Sequence, residues 1–239
     1  MFDLRLTVLV MALSAVAAVA VRADGSAVDK VYHPYVEQLE WEFEWRMTQE
    51  DENPVTGVDR QQIHRFAVGK AVSEFVFVEA YLIGEQSADE SFDIEAYEVE
   101  LLWQLSEQGE YAVDYGLLFE IEKEISLDVW EVSSALLLEK ELGRYSATAN
   151  IVLAYEWGDK IDDEFETALA LQGRYRYSPR FEPAMELYLG EDTSALGPAI
   201  MGVERLGMAK AVRWELGVVL ALDDNTPDYT FRAVLEYEF

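Results

Sequence analysis

The sequence predicts an all-β chain, an antiparallel up-and-down transmembrane β-barrel of twelve strands. Three observations predict it. Apolar and polar residues alternate in segment after segment, which is the period of a strand. The stretch "EWEFEWRM" sets Trp41, Phe43, Trp45 and Met47 against Glu40, Glu42, Glu44 and Arg46. The connections alternate in character, acidic on one side and tighter on the other. The aromatics fall at two heights, with small and aliphatic residues between them, as in the girdles of a membrane barrel.

The strands follow in order. The first, 37–48, turns Glu40, Glu42, Glu44 and Arg46 to the lumen and its tryptophans to lipid. The second, 62–71, is irregular; it brings Arg65 inward and His64 toward lipid. The third, 74–84, contributes Glu79. The fourth, 94–106, points Glu98 and Glu100 inward and Tyr97 and Trp103 outward. The fifth, 111–122, points Asp114, Glu120 and Glu122 inward and Tyr111 and Phe119 outward. The sixth, 129–141, has Glu131 and Glu139 inside and Trp130 outside. The seventh, 145–157, has Glu156 inside, and a lipid row of Tyr145, Ala147, Ala149, Ile151, Leu153, Tyr155 and Trp157. The eighth, 165–177, carries Glu166, Arg174 and Arg176 inward and Phe165, Tyr175 and Tyr177 outward. The ninth, 182–190, contributes Glu186. The tenth, 198–206, is again irregular and is read with Glu204 inward and Pro198 near its start. The eleventh, 211–221, has Arg213 and Glu215 inside and Trp214 outside. The twelfth, 229–239, has Arg232, Glu236 and Glu238 inside.

Trp103, Tyr111, Tyr145, Tyr175, Tyr177, Trp214 and Tyr237 form the expected aromatic band at the tight-turn end. Tyr97, Phe119, Trp130, Tyr155, Trp157, Phe165 and Tyr229 form the band at the loop end. A soluble sandwich, the alternative fold, has no reason to sort aromatics by height. The polar connections include "EDENPVTGVDR", "EQSADESFD" and "LDDNTPD"; the tighter ones are "KAVSE", "SEQGE", "ELGR", "SPRF" and "GMAK".

The twelfth strand reads "DYTFRAVLEYEF", with Phe231, Leu235, Tyr237 and Phe239 on one face and an aromatic residue at the terminus. It resembles the C-terminal assembly signal of the bacterial outer-membrane β-barrel superfamily. The resemblance implies an outer-membrane location, with lipid, lipopolysaccharide and the barrel-assembly machinery as partners. Twelve-stranded members of that superfamily include channels, surface lipases and secretion translocators. No residue pattern in this chain selects one of them.

The ends and the composition agree with an envelope protein. Residues 1–23 read as a cleaved signal peptide, with an apolar run from Leu6 to Val21 and a small-x-Ala site ending at Ala23. An uncleaved anchor is the alternative. Residues 24–36 are then a periplasmic N-terminal segment, and 37–239 the barrel domain. The chain holds 47 acids against 18 lysines and arginines, a formal charge of −29. That excludes a simple nucleic-acid binder, which needs basic residues for the phosphates. The 51% hydrophobic content is too high for a disordered acidic chain. There is no cysteine, so disulfides and thiolate metal sites are excluded.

Function is legible only in outline. The lumen is expected to carry Glu40, Glu42, Glu44, Glu98, Glu100, Glu120, Glu122, Glu156, Glu166, Glu215 and Glu236, opposed by Arg46, Arg65, Arg174, Arg176, Arg213 and Arg232, and no lysine. Glutamates in such excess can line a narrow, cation-preferring channel for small cationic or neutral solutes. Alternatively, Glu–Arg pairs and the segment from Asp24 to Tyr35 fill the lumen, making a structural or surface-interaction barrel. A third reading, a lipid- or glycan-modifying enzyme, has only His33 and His64 to offer as catalytic histidines, and neither has a serine partner in the pattern. No cofactor is expected. The acidic loops could hold Ca or Mg weakly, without an EF-hand spacing.

Overall fold

The computed structural model describes residues 28–37, 41–54, 57–125, 128–158, 161–207 and 210–239. The expected signal peptide lies outside the described residues, as do Asp24 to Ala27 and Glu40. The twelve strands are β1 (Trp41–Glu50), β2 (Gln62–Ala71), β3 (Val76–Gln86), β4 (Asp93–Gln104), β5 (Asp114–Glu124), β6 (Val129–Leu142), β7 (Tyr145–Gly158), β8 (Glu164–Tyr175), β9 (Glu182–Leu189), β10 (Ser194–Arg205), β11 (Ala211–Ala221) and β12 (Tyr229–Glu238). Each pairs antiparallel with its sequence neighbours, and β1 pairs with β12, so the sheet closes into a barrel with no free edge.

The alternation works as the sequence indicates. Along β1, Glu44, Arg46, Thr48 and Glu50 are buried inside, while Trp41 and Phe43 are exposed. The outer surface is a belt of exposed apolar side chains that includes Val99, Ile121, Leu136, Ile151, Leu153, Leu216 and Leu235. Aromatics cap this belt at both ends. At the turn end the rings of Tyr145 and Tyr175 lie 4.9 Å apart. At the loop end those of Tyr155 and Trp157 stack at 5.7 Å. A surface so apolar is matched to lipid, not to water.

Several expectations shift. β1 begins at Trp41 and runs on to Glu50. β5 starts at Asp114 rather than at 111, because the Asp114 carboxylate accepts the Gly109 N–H and organises a wide turn over 105–113. Gly109 sits at φ +76, a conformation that an L side chain would resist. Phe119, expected in the loop-end band, stands at the centre of β5. Pro198 lies within β10, not at its start. The β10–β11 pairing is interrupted across 197–198, where proline has no N–H to donate. Gly197 permits the close approach of β11 there: a Cβ on it would fall 2.0 Å from the Val218 carbonyl oxygen.

Candidate functional site

Strand parity aims most of the ionisable residues at the lumen, and the chain's own N-terminal segment lies inside it. Residues 28–37 pass from the loop half of the barrel to its turn-end mouth, a position inside the barrel wall rather than beyond it. Val28 and Val31 pack on Tyr188, Ala195 and Val219. Tyr32 packs on Leu118 and Leu137. The backbone of Tyr32 is clamped by Asn150: its N–H donates to Asn150 Oδ1 at 2.7 Å, and Asn150 Nδ2 donates to its carbonyl at 2.8 Å. Pro34 biases His33 toward extended backbone and packs over Gly116, where a Cβ would sit 3.1 Å from Pro34 Cβ. Tyr35 OH donates to Asp114 at 2.9 Å, and the Val36 N–H donates to Gln104 at 2.8 Å.

Charge fixes the same segment more tightly. Arg46, 1% exposed, donates from Nε to Glu44 at 2.9 Å and from Nη1 to Asp29 at 2.5 Å. It also donates to the hydroxyls of Tyr32 and Tyr81, each at 3.0 Å. Lys30 Nζ lies 2.6 Å from both Glu44 and Glu236. His33 Nδ1 lies 2.5 Å from Glu139. Burial alone would raise the Asp29 carboxyl, but the guanidiniums of Arg46 and Arg65 outweigh it and hold the group below its usual range. Burial alone would lower Lys30, but Glu236, Glu44 and Glu42 outweigh it and keep the ammonium charged well above the usual range.

The remaining expected residues fall as follows. Arg232 pairs with Glu186 and, at 2.9 Å, with Glu215. Arg174 lies 3.6 Å from Glu139 and 3.5 Å from Glu182, and Arg176 lies 2.6 Å from Glu141. Arg213 pairs with Glu238 and reaches Glu37 at 3.3 Å. Arg65 lies 3.9 Å from Glu98. Glu98, Glu122, Glu131, Glu156 and Glu164 stand in register across β4 to β8, an acidic row in the loop half of the lumen. Glu100 and Glu120 form the row below it, and Glu166 stands beside Ala154. Glu204 departs from expectation. It pairs across the sheet with Val212 on the outward parity, and meets Arg180 at 2.7 Å on the rim. The inward parity of β10 falls on Ala195, Ala199 and Met201, each an odd number of residues from Glu204, so Glu204 points outward.

At the turn end a cavity of about 760 Å³ remains between the segment and the wall, lined by Tyr35, Glu37, Arg174, Arg213, Glu215 and Glu238 among others. His64 is on the lipid face. Trp45 Nε1 donates to it at 3.3 Å, and the rings of Phe66 and Phe92 flank it. Among the described residues, the carboxylate groups close enough to share one ion are lumenal: Glu42 with Glu44 and Glu236, and Glu98 with Glu100 and Glu120. Sequence reasoning missed Asp29, Lys30, Tyr32 and Asn150, and it assigned no lysine to the lumen. The usable signal was "DKVYHPYV", which is too apolar and aromatic for a solvated tail.

No protein-family model and no curated protein matches the chain. Solved structures do match. A KdgM porin in complex with disordered oligogalacturonate aligns with TM-score 0.54 at 10% identity, covering 83% of this chain and 98% of that one. An outer-membrane channel from Pseudomonas putida F1 aligns with TM-score 0.54 at 14% identity, covering 88% of this chain and 98% of that one. At such identities the likeness is one of fold, and the fold of this chain is that of the twelve-stranded outer-membrane β-barrels.

Proposed function

We propose that the chain is an outer-membrane channel for small cationic or neutral solutes, held closed by its own N-terminal segment. The observation that carries this reading is how the lumen is filled. A separate stretch, residues 28–37, occupies it, and the wall it rests on includes Gly116, Ala170 and Ala195. Remove the segment and these small residues leave open space. Its anchors are mainly hydrogen bonds and ion pairs to polar groups of the wall. The two neighbours described as a porin and a channel support the same reading.

Cation preference rests on the charge of the wall. Glu98, Glu122, Glu131, Glu156 and Glu164 put five carboxylates side by side in one row, and such a row draws cations and repels anions. The oligogalacturonate of the KdgM complex is itself acidic, so an acid-rich lumen does not suit the same ligand. The fold and the C-terminal strand support insertion among lipid and lipopolysaccharide through the assembly machinery as part of the same proposal. Weak Ca or Mg binding by the acidic loops remains a separate, minor proposal.

The competing reading is a closed structural barrel, favoured by how fully the ion pairs around Arg46 and Arg232 are buried. Planar-bilayer recordings separate the two. Protein lacking residues 28–36, verified as folded by heat-modifiable migration, should open cation-preferring steps that the intact chain shows rarely. A folded deletion protein without conductance, or one that prefers anions at neutral pH and low salt, leaves the structural barrel as the better account.

A further inference from the structure

We infer that Glu42, Glu44 and Glu236, with the buried Glu79 carboxylate beside them, form a divalent-cation site in the lumen, and that the Lys30 ammonium is its built-in occupant. The site is assembled by register. Glu44 faces Glu236 across β1 and β12. Glu42, Gly69 and Glu79 are aligned across β1, β2 and β3. Gly69 leaves room between the two acids, part of which the Phe77 ring takes: a Cβ on Gly69 would lie 2.5 Å from Phe77 Cζ. The Glu79 side chain leans into that gap: a Cβ on Gly69 would lie 2.6 Å from Glu79 Cγ. Oxygen atoms of Glu42, Glu44 and Glu236 all lie within 4.8 Å of one another.

Two observations show that an ammonium fills this site incompletely. Lys30 Nζ meets one oxygen of Glu44 and one of Glu236, each at 2.6 Å. Glu79 is 5% exposed; its Oε2 accepts the Tyr81 hydroxyl at 2.9 Å, while its Oε1 is buried with no hydrogen-bond partner. A lysine brings one charge and three donors. The nearby Arg46 adds a second charge, but its contact is with the far oxygen of Glu44. The carboxylates therefore exceed the cations that serve them. Calcium takes six to eight oxygen ligands at ~2.3–2.6 Å, in flexible geometry, from carboxylates and water. An all-oxygen donor set selects a hard cation over a transition metal. The segment 28–37 and a divalent ion thus compete for the same carboxylates. This inference concerns binding, not conduction, and it stands or falls separately from the channel reading.

The test uses the full chain purified in detergent, with calcium chloride as the only added metal. Lys30→Met keeps the apolar stem and removes the charge. By calorimetry it should bind one more calcium ion per chain than the wild type, at least tenfold tighter than any lumenal binding in the wild type. The loop acids are the same in both proteins, so the difference isolates the lumen. Calcium should also raise the unfolding temperature of Lys30→Met more than that of the wild type. Adding Glu236→Gln should abolish the extra ion. Should Lys30→Met fail to fold, wild-type protein supplies the second measurement. Calcium at constant ionic strength should increase amine labelling of Lys30 several-fold, read by mass spectrometry, while leaving Lys70 unchanged. Equal calcium binding by wild type and Lys30→Met, an extra ion indifferent to Glu236→Gln, or Lys30 labelling indifferent to calcium overturns the inference.

Discussion

The rings of Phe43 and Phe239 stack with centroids 5.4 Å apart, at the seam where the first strand meets the last. The Tyr237 ring also stacks on Phe239, with centroids 5.4 Å apart. Trp41 and Phe239 exchange two backbone hydrogen bonds, of 3.0 and 2.9 Å, beneath the rings. Phe239 is therefore part of barrel closure, and the assembly-signal role expected from the sequence can be tested at the same residue. Replacing Phe239 with aspartate would put a charge beside lipid at the seam, where both the stack and the ladder end. The heat-modifiable, membrane-inserted fraction should fall several-fold, and Phe239→Tyr should restore most of it. Unimpaired assembly after deletion of residues 237–239 would sink this assignment.

Arg46 is the hub of the buried network, with Glu44, Asp29, Tyr32 and Tyr81 around it. Its guanidinium also lies 5.3 Å from the Tyr81 ring centroid and 5.5 Å from that of Tyr32. Removing one partner of a buried charge pair leaves the other charge uncompensated, at a cost of about 3–5 kcal/mol. Arg46→Met should lose about that much in urea unfolding from lipid vesicles. Adding Glu44→Gln should recover part of the loss, because the stranded charge goes with it and coupled sites are not additive. Losses that simply sum would show that the two residues act independently.

The parity of the wall was legible because lipid outside and water or ion pairs inside impose opposite demands on alternate residues. Glu98, Glu100, Arg174 and Arg232 followed from that rule alone. β10 obeyed it less clearly. Ala195, Gly197, Ala199 and Met201 give no polar signal on the inner face, so Glu204 was drawn inward by analogy with the other strands. The lumenal segment was less legible still. Nothing periodic marks residues 28–37, and their partners lie far away in sequence: Lys30 and Glu236 are separated by 206 positions. A contact of that range depends on barrel closure, which no local pattern encodes.

Docking of the segment should depend on pH at both extremes. Asp29, buried against Arg46 and Arg65, has its pKa pulled below the free value of 3.8. Its contribution is thus present above that value and is lost as pH falls through the lowered one. Lys30, buried among Glu236, Glu44 and Glu42, is pulled above the free value of 10.5. Its contribution is present below that value and is lost as pH rises through the raised one. Segment protection, measured by limited proteolysis or hydrogen exchange of residues 28–37, should be flat across neutral pH. It should weaken in acid below 3.8 and in alkali above 10.5. A sharp midpoint near neutrality would mean that neither group controls docking.

Asn150 offers the cleanest way to loosen the segment without altering charge. Its amide meets both the N–H and the carbonyl of Tyr32, which is what a neighbouring strand would do, and it does so from the inner face of β7. Asn150 is 2% exposed, so water does not readily take its place. Asn150→Ala deletes both bonds and leaves two backbone groups of Tyr32 unpaired inside the lumen. A buried group left without its partner costs about 1–3 kcal/mol, roughly a five- to 150-fold shift per group toward the released segment. The barrel ladder is untouched, since the β6–β7 and β7–β8 pairings run through the backbone of residue 150. The variant should therefore assemble normally while residues 28–37 become accessible to protease. In bilayers it should open more often than the wild type, with the same ion preference as the protein lacking the segment. Normal assembly with unchanged protease protection would show that the ion pairs of Lys30, Asp29 and His33 hold the segment without the Asn150 clamp.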